Sequence, residues 1–138
     1  MILWKRTGSK VLSIVNVMGS SIARESDYVL YTWAGPEIAV ATTKAYTTQM
    51  VLLVLLGVYL AKKSDKITVE AYREIVEEFQ NLPQNISAVL DNLMDYQKSA
   101  SRYFNHNSVF YIGRNMDYAL GLEGSLKLKE ISYIHSES

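Results

Sequence analysis

The chain has 138 residues, long enough for one ordinary domain with a core of its own. With 49% hydrophobic and 20% charged residues it is too apolar to be disordered, and a net charge of +0 gives nucleic acid no basic field to bind. Cysteine is absent, which excludes disulfides, thiolate metal sites and a Cys nucleophile within these residues and fits a cytoplasmic protein.

Residues 1–6 (MILWKR) read as the end of a helix, with Gly8 as its stop; they lack the order of a secretory signal. Residues 11–17 (VLSIVNV) are β-branched and almost continuously apolar, the pattern of a strand covered on both faces in a parallel sheet. Gly19, Ser20 and Ser21 follow as a loop at its carboxyl end, where α/β sheets place ligands. Hydroxyls and backbone amides there can hold a phosphate, although a plain strand-exit turn is the more ordinary reading. Residues 28–33 (YVLYTW) predict a second strand, broken by Gly35-Pro36. Thr42 or Thr43 can then cap a helix running to about Lys63. The apolar run 50–61 within it falls short of the roughly 20 residues that span a bilayer, so a buried helix and no membrane are expected.

From Val69 the apolar residues recur on one side: Val69, Tyr72, Ile75, Val76 and Phe79. Pro83 is expected to end that helix or begin the next, which carries Ile86, Val89, Leu90, Leu93 and Tyr96 to about Tyr103. Residues 108–112 (SVFYI) predict a third strand, and Gly113-Arg114-Asn115 turns into a last helix-like stretch, 120–138. The chain is therefore an α/β protein with parallel strands and helices on the sheet faces. Starting at a helix tail and stopping at a helix end, it is expected to be cut from something larger or to complete its sheets with a partner.

The last stretch carries the most pointed chemistry. Glu123, Lys127 and Glu130 stand at i, i+4, i+7 on one helical face. A Glu four residues before a Lys is the favoured surface pair, so solvated pairing and a site for proton transfer stand level on pattern alone. Gly121, Gly124 and Ser125 suggest a close neighbour, and the surrounding leucines and isoleucines a buried helix on which a carboxylate can act as general base. Residues 40–44 (VATTK), ahead of a helix, can contact an anionic or polyhydroxyl ligand or can simply cap. His106 lies in a polar turn and His135 has no second ligand at metal spacing, so neither a metal nor a cofactor is expected.

Residues 19–56 (GSSIARESDYVLYTWAGPEIAVATTKAYTTQMVLLVLL) resemble the first sugar-isomerase (SIS) domain of the glutamine–fructose-6-phosphate aminotransferase family. Residues 111–138 (YIGRNMDYALGLEGSLKLKEISYIHSES) resemble the opening of its second. The resemblance implies partial domains of an SIS-type, flavodoxin-like three-layer α/β/α fold with a parallel sheet. It assigns 1–80 to the closing half of the first domain, 81–105 to a helical connector and 106–138 to the start of the second.

It also implies a function: synthesis of glucosamine-6-phosphate from fructose-6-phosphate and glutamine-derived ammonia, by proton transfer between C1 and C2. Carried over by position, Glu130 is the base, with Lys127 and Glu123 beside it in the sugar pocket. Val40, Ala41 and Thr42 contact the sugar, by backbone and hydroxyl. The implied partners are a sugar-phosphate substrate, the rest of the synthase with its glutaminase domain, and a second copy in a homodimer. The family's Cys-first glutaminase, Ser-rich phosphate loop, His-Gly-Pro motif and C-terminal imine-forming Lys do not occur in these residues. One copy alone is thus expected to be essentially inactive. A glutaminase-free SIS isomerase or deglycase, and a non-enzymatic module sensing sugar phosphates, are the alternatives.

Overall fold

The computed structural model describes residues 7–138, so the helix end expected at residues 1–6 lies outside the described residues. The chain divides into two compact units, meeting in sequence between Lys63 and Ser64.

The first unit is built on two parallel strands, β1 (Leu12–Val15) and β2 (Tyr28–Tyr31), in register from Leu12 opposite Tyr28 to Val15 opposite Tyr31. The ladder is secured at its start by Asp27. Its carboxylate accepts from the Val11 N–H at 3.0 Å and from the Lys10 ammonium at 3.0 Å. Between the strands lies a short helix, α1 (Ser21–Glu25), where the sequence suggested only a loop. Ser20 makes it, its hydroxyl accepting from the Ala23 N–H at 3.3 Å. The Gly19-Ser20-Ser21 segment is therefore a strand exit that caps a helix.

After β2 the chain loops to α2 (Thr43–Lys63), whose 21 residues carry the apolar run. This helix is long and apolar enough to cross a membrane by length and composition, so the shorter run read from the sequence understated it. Among the described residues the buried apolar side chains are Ala41 and Ala45, one helical turn apart where the loop enters α2. Many larger apolar residues, Leu53 and Leu60 among them, remain more than half exposed.

The second unit opens with α3 (Val69–Leu90), capped by Thr68, whose hydroxyl accepts from the Ala71 N–H at 3.1 Å. Pro83 lies inside this helix and does not end it, contrary to expectation. The ring deprives the Phe79 carbonyl of its usual partner, a loss that water can offset on a half-exposed helix. The break comes instead at Asp91-Asn92, before α4 (Leu93–Tyr103).

Strand β3 (Ser108–Phe110) leads into α5 (Met116–Ser132), and a fourth strand, β4 (His135–Glu137), pairs parallel to β3 with Val109 opposite Ser136. The helix-like reading of 120–138 is thus corrected at Ser132. Tyr133, in the left-handed conformation at φ 59°, ends α5 and turns the chain into β4. The expectation that α5 is buried on most sides is also corrected. Only Gly121 and Ser125 are buried, because a two-stranded sheet covers one narrow strip of the helix.

Candidate active site and its relatives

The covered strip of α5 is made by its small residues. A side chain at Gly121 would meet the Ser138 hydroxyl, and one at Gly124 would fall 2.8 Å from the Tyr111 ring. Tyr111 is held there by its N–H, which donates to the Glu137 carbonyl at 2.8 Å and continues the β3–β4 ladder. Ser125 and Ser136 complete the contact in reciprocal fashion. The Ser125 hydroxyl donates to Ser136 Oγ at 3.0 Å, and the Ser136 hydroxyl donates to the Ser125 carbonyl at 2.8 Å. Two buried hydroxyls are thereby satisfied, as burial of polar groups demands.

This clamp fixes the rotation of α5 and with it the face bearing Glu123, Lys127 and Glu130. The Lys127 ammonium sits between the two carboxylates, 3.1 Å from Glu123 Oε1 and 3.2 Å from Glu130 Oε2. The side chains of Lys127 and Glu123 are about a fifth exposed and that of Glu130 a third, so the cluster is half-sheltered. The hydrogen bond to Glu123 raises the Lys127 pKa above the ordinary lysine value; partial burial opposes this and Glu130 adds to it. Lys127 is therefore an ammonium at neutral pH and no base. In this trio proton abstraction can fall only to a carboxylate.

The other expected contacts lie in the first unit. Val40 is largely exposed, Ala41 is buried, and Thr42 sits at φ 53°, uncommon for a β-branched residue. The Thr42 hydroxyl donates to the Val40 carbonyl at 3.1 Å, and the Thr42 N–H to the Ala39 carbonyl at 3.2 Å, which closes a tight turn. The turn follows the carboxyl end of β2, the end at which open parallel sheets carry ligands. No group of three or more potential metal ligands occurs among the described residues.

Comparison with known proteins shows what this arrangement is similar to. The model of the SIS domain matches residues 1–59. The C-terminal domain of glucosamine-fructose-6-phosphate aminotransferase from Francisella tularensis superposes with a TM-score of 0.92 at 35% identity, covering 99% of this chain and 39% of that one. This chain has an SIS-type α/β fold. A Clostridium difficile 630 protein whose description suggests a phosphosugar isomerase has the same fold, with a TM-score of 0.89 at 28% identity. Among curated relatives, the chain is 56% identical over 134 residues to glutamine–fructose-6-phosphate aminotransferase [isomerizing] of Caldanaerobacter subterraneus subsp. tengcongensis. It is 50% identical over 131 residues to that of Symbiobacterium thermophilum. It spans about a fifth of the length of these relatives, 22% in each case.

Sequence reasoning thus anticipated an SIS-type α/β fold and the similarity to these aminotransferases. It missed the Ser125–Ser136 clamp, because two serines eleven residues apart carry no signal until β4 is known. It also missed Asn16, whose side chain organises the loop after β2.

Proposed function

We propose that this SIS segment belongs to the isomerase half of a glutamine–fructose-6-phosphate aminotransferase and forms part of its sugar-phosphate site. The observation that carries this reading is the Glu123–Lys127–Glu130 trio, in which one ammonium is shared by two half-sheltered carboxylates. In this reading the Glu130 carboxylate takes a proton from C1 of the fructose-6-phosphate imine and returns it at C2. As C1 loses its proton the C=N bond shifts to a C1=C2 enamine and the nitrogen takes up a proton; as C2 is protonated the O1 hydroxyl gives up its proton and C1 becomes a carbonyl, with no net gain or loss of electrons or protons. Lys127 holds Glu130 in place and offers its ammonium to the sugar oxygens, while Glu123 orients Lys127. Val40, Ala41 and Thr42 contribute backbone groups and a hydroxyl to sugar-phosphate binding. Residues 1–80 then form the closing half of one SIS domain, 81–105 a connector and 106–138 the opening of a second. The remainder, with its glutaminase, comes from the rest of a cytoplasmic homodimer.

The stronger likeness to aminotransferases, at 56% against 28% for the isomerase-like structure, supports this reading over a glutaminase-free enzyme. In it α2 is a helix packed within the sheet layers and not a membrane span, which the TM-score of 0.92 over 99% of the chain supports. The test is a chimera in which this chain replaces the matching segment of the Caldanaerobacter relative. It should make glucosamine-6-phosphate, and E130Q should reduce turnover by about 10²–10⁴-fold, the range for loss of a general base. Equal turnover with and without E130Q would overturn the assignment. The isolated chain should show no turnover of fructose-6-phosphate and ammonia above its own E130Q variant.

A further inference from the structure

The loop between β2 and α2 is tied down at both ends by side chains that lie outside the turn 40–42 itself. Asn16 immediately follows β1. Its Oδ1 accepts from the Thr32 hydroxyl at 3.0 Å and from the Ala34 N–H at 2.9 Å, and its Nδ2 donates to the Gly35 carbonyl at 2.7 Å. One amide thereby holds three positions of the loop, in a stretch where Trp33 and Gly35 both take positive φ, 54° and 72°. At the far end the Lys44 ammonium, from the first turn of α2, donates back to the Pro36 carbonyl. Between these anchors lie residues 37–43, and within them the turn closed by Ala39 and Thr42.

A loop with left-handed residues at 33, 35 and 42 has many competing conformations, and a ligand that must order it loses affinity in doing so. Anchoring it beforehand removes that cost from the ligand. The anchors also suit their tasks chemically. An amide is the one neutral side-chain group that can accept twice and donate in the same plane, and a lysine reaches across a turn on a flexible stem.

We infer that Asn16 and Lys44 are positioning residues that hold the 40–42 turn in its ligand-ready shape. The inference rests on the reading above that this turn contacts a sugar phosphate. Neither residue needs to touch the ligand: Asn16 acts through the Thr32–Gly35 backbone and Lys44 through Pro36.

The experiment uses the chain as it is, titrated with fructose-6-phosphate and followed by the amide resonances of Val40, Ala41 and Thr42, with amide hydrogen exchange measured in parallel. The parent should show saturable shifts. N16A and K44M should weaken apparent affinity roughly tenfold or more, the scale of a lost charge-assisted or multiply shared hydrogen bond. K44R, which can still donate to Pro36, should recover most of it. N16A should also speed exchange at Ala34 and Thr42 while β1–β2 amides stay protected, a difference that general destabilisation would not produce. Parent-like affinity and exchange in both variants would overturn the inference. Unaltered exchange at Ala34 and Thr42 in N16A would do so whether or not the sugar binds. If the parent shows no shift at Val40–Thr42, the sugar-contact reading fails, and with it the role given to the anchors, even where exchange confirms that they order the loop.

Discussion

Replacing Gly113 by alanine tests the junction that delivers α5 to its place. A methyl group there would stand 2.4 Å from the Asp117 carbonyl carbon, 2.6 Å from its oxygen and 2.6 Å from the Tyr118 nitrogen. All three are backbone atoms of the first turn of α5, so no rotamer change relieves the contact. Restoring ordinary separation needs a displacement of about 1 Å, and overpacking of that kind costs about 1–3 kcal/mol. A rigid helical turn places the cost at about 2 kcal/mol, the middle of that range. For a chain of this size that is a fall in Tm of roughly 6 °C. The matched control is G57A, in the interior of α2, where a methyl group meets nothing within 4 Å. There the better helix propensity of alanine should stabilise by about 0.5–1 kcal/mol. Thermal and urea unfolding followed by circular dichroism would measure both. A G113A variant as stable as the parent, or a G57A variant less stable, would refute the packing argument.

Further outcomes can be measured on the same chain. S136A should destabilise by about 1–2 kcal/mol, since the Ser125 hydroxyl loses its acceptor in a buried site; urea midpoints would show it. T42G should stabilise slightly, by about 0.5–1 kcal/mol, because glycine accepts φ 53° without strain. It should nevertheless weaken fructose-6-phosphate binding, so stability and binding would move in opposite directions. The pairing of Lys127 has a defined pH signature. Its folded pKa is raised above the ordinary value of 10.5, so its contribution is complete below that pH and is lost as pH rises through the higher folded value. The stability difference between parent and K127M should therefore be constant from pH 7 to about 9.5 and shrink in more alkaline solution. A constant difference throughout would show that the ion pairs contribute nothing.

The elements that the sequence disclosed are those with strong local periodicity. Apolar, β-branched runs gave β1, β2 and β3, a continuous apolar run gave α2, and regular apolar spacing gave α3. What stayed hidden depended on partners distant in sequence. His135-Ser136-Glu137 has poor strand propensity and becomes β4 only because β3 offers a parallel edge. Tyr133 ends α5 in the left-handed region without the glycine that usually announces such a stop. Pro83 misled in the other direction, since a helix with exposed faces can absorb one lost hydrogen bond. In the candidate site, the spacing of Glu123, Lys127 and Glu130 was legible because it repeats with the helix. Their half-sheltered packing on one another was not, since spacing alone does not say whether an ion pair is solvated.

The registers of the two parallel pairs bear on how the molecule is made. Leu12 pairs with Tyr28 across sixteen positions and Ser108 with His135 across twenty-seven, and neither ladder draws on residues from the other unit. Closing the longer loop costs only about 0.5 kcal/mol more in chain entropy than closing the shorter. Parallel pairing usually waits for distant sequence and slows folding accordingly. Here each pair can zip as soon as its own short stretch has left the ribosome. The turn that follows β2 and the helix that carries Glu130 would then be laid down one after the other, in the order of translation.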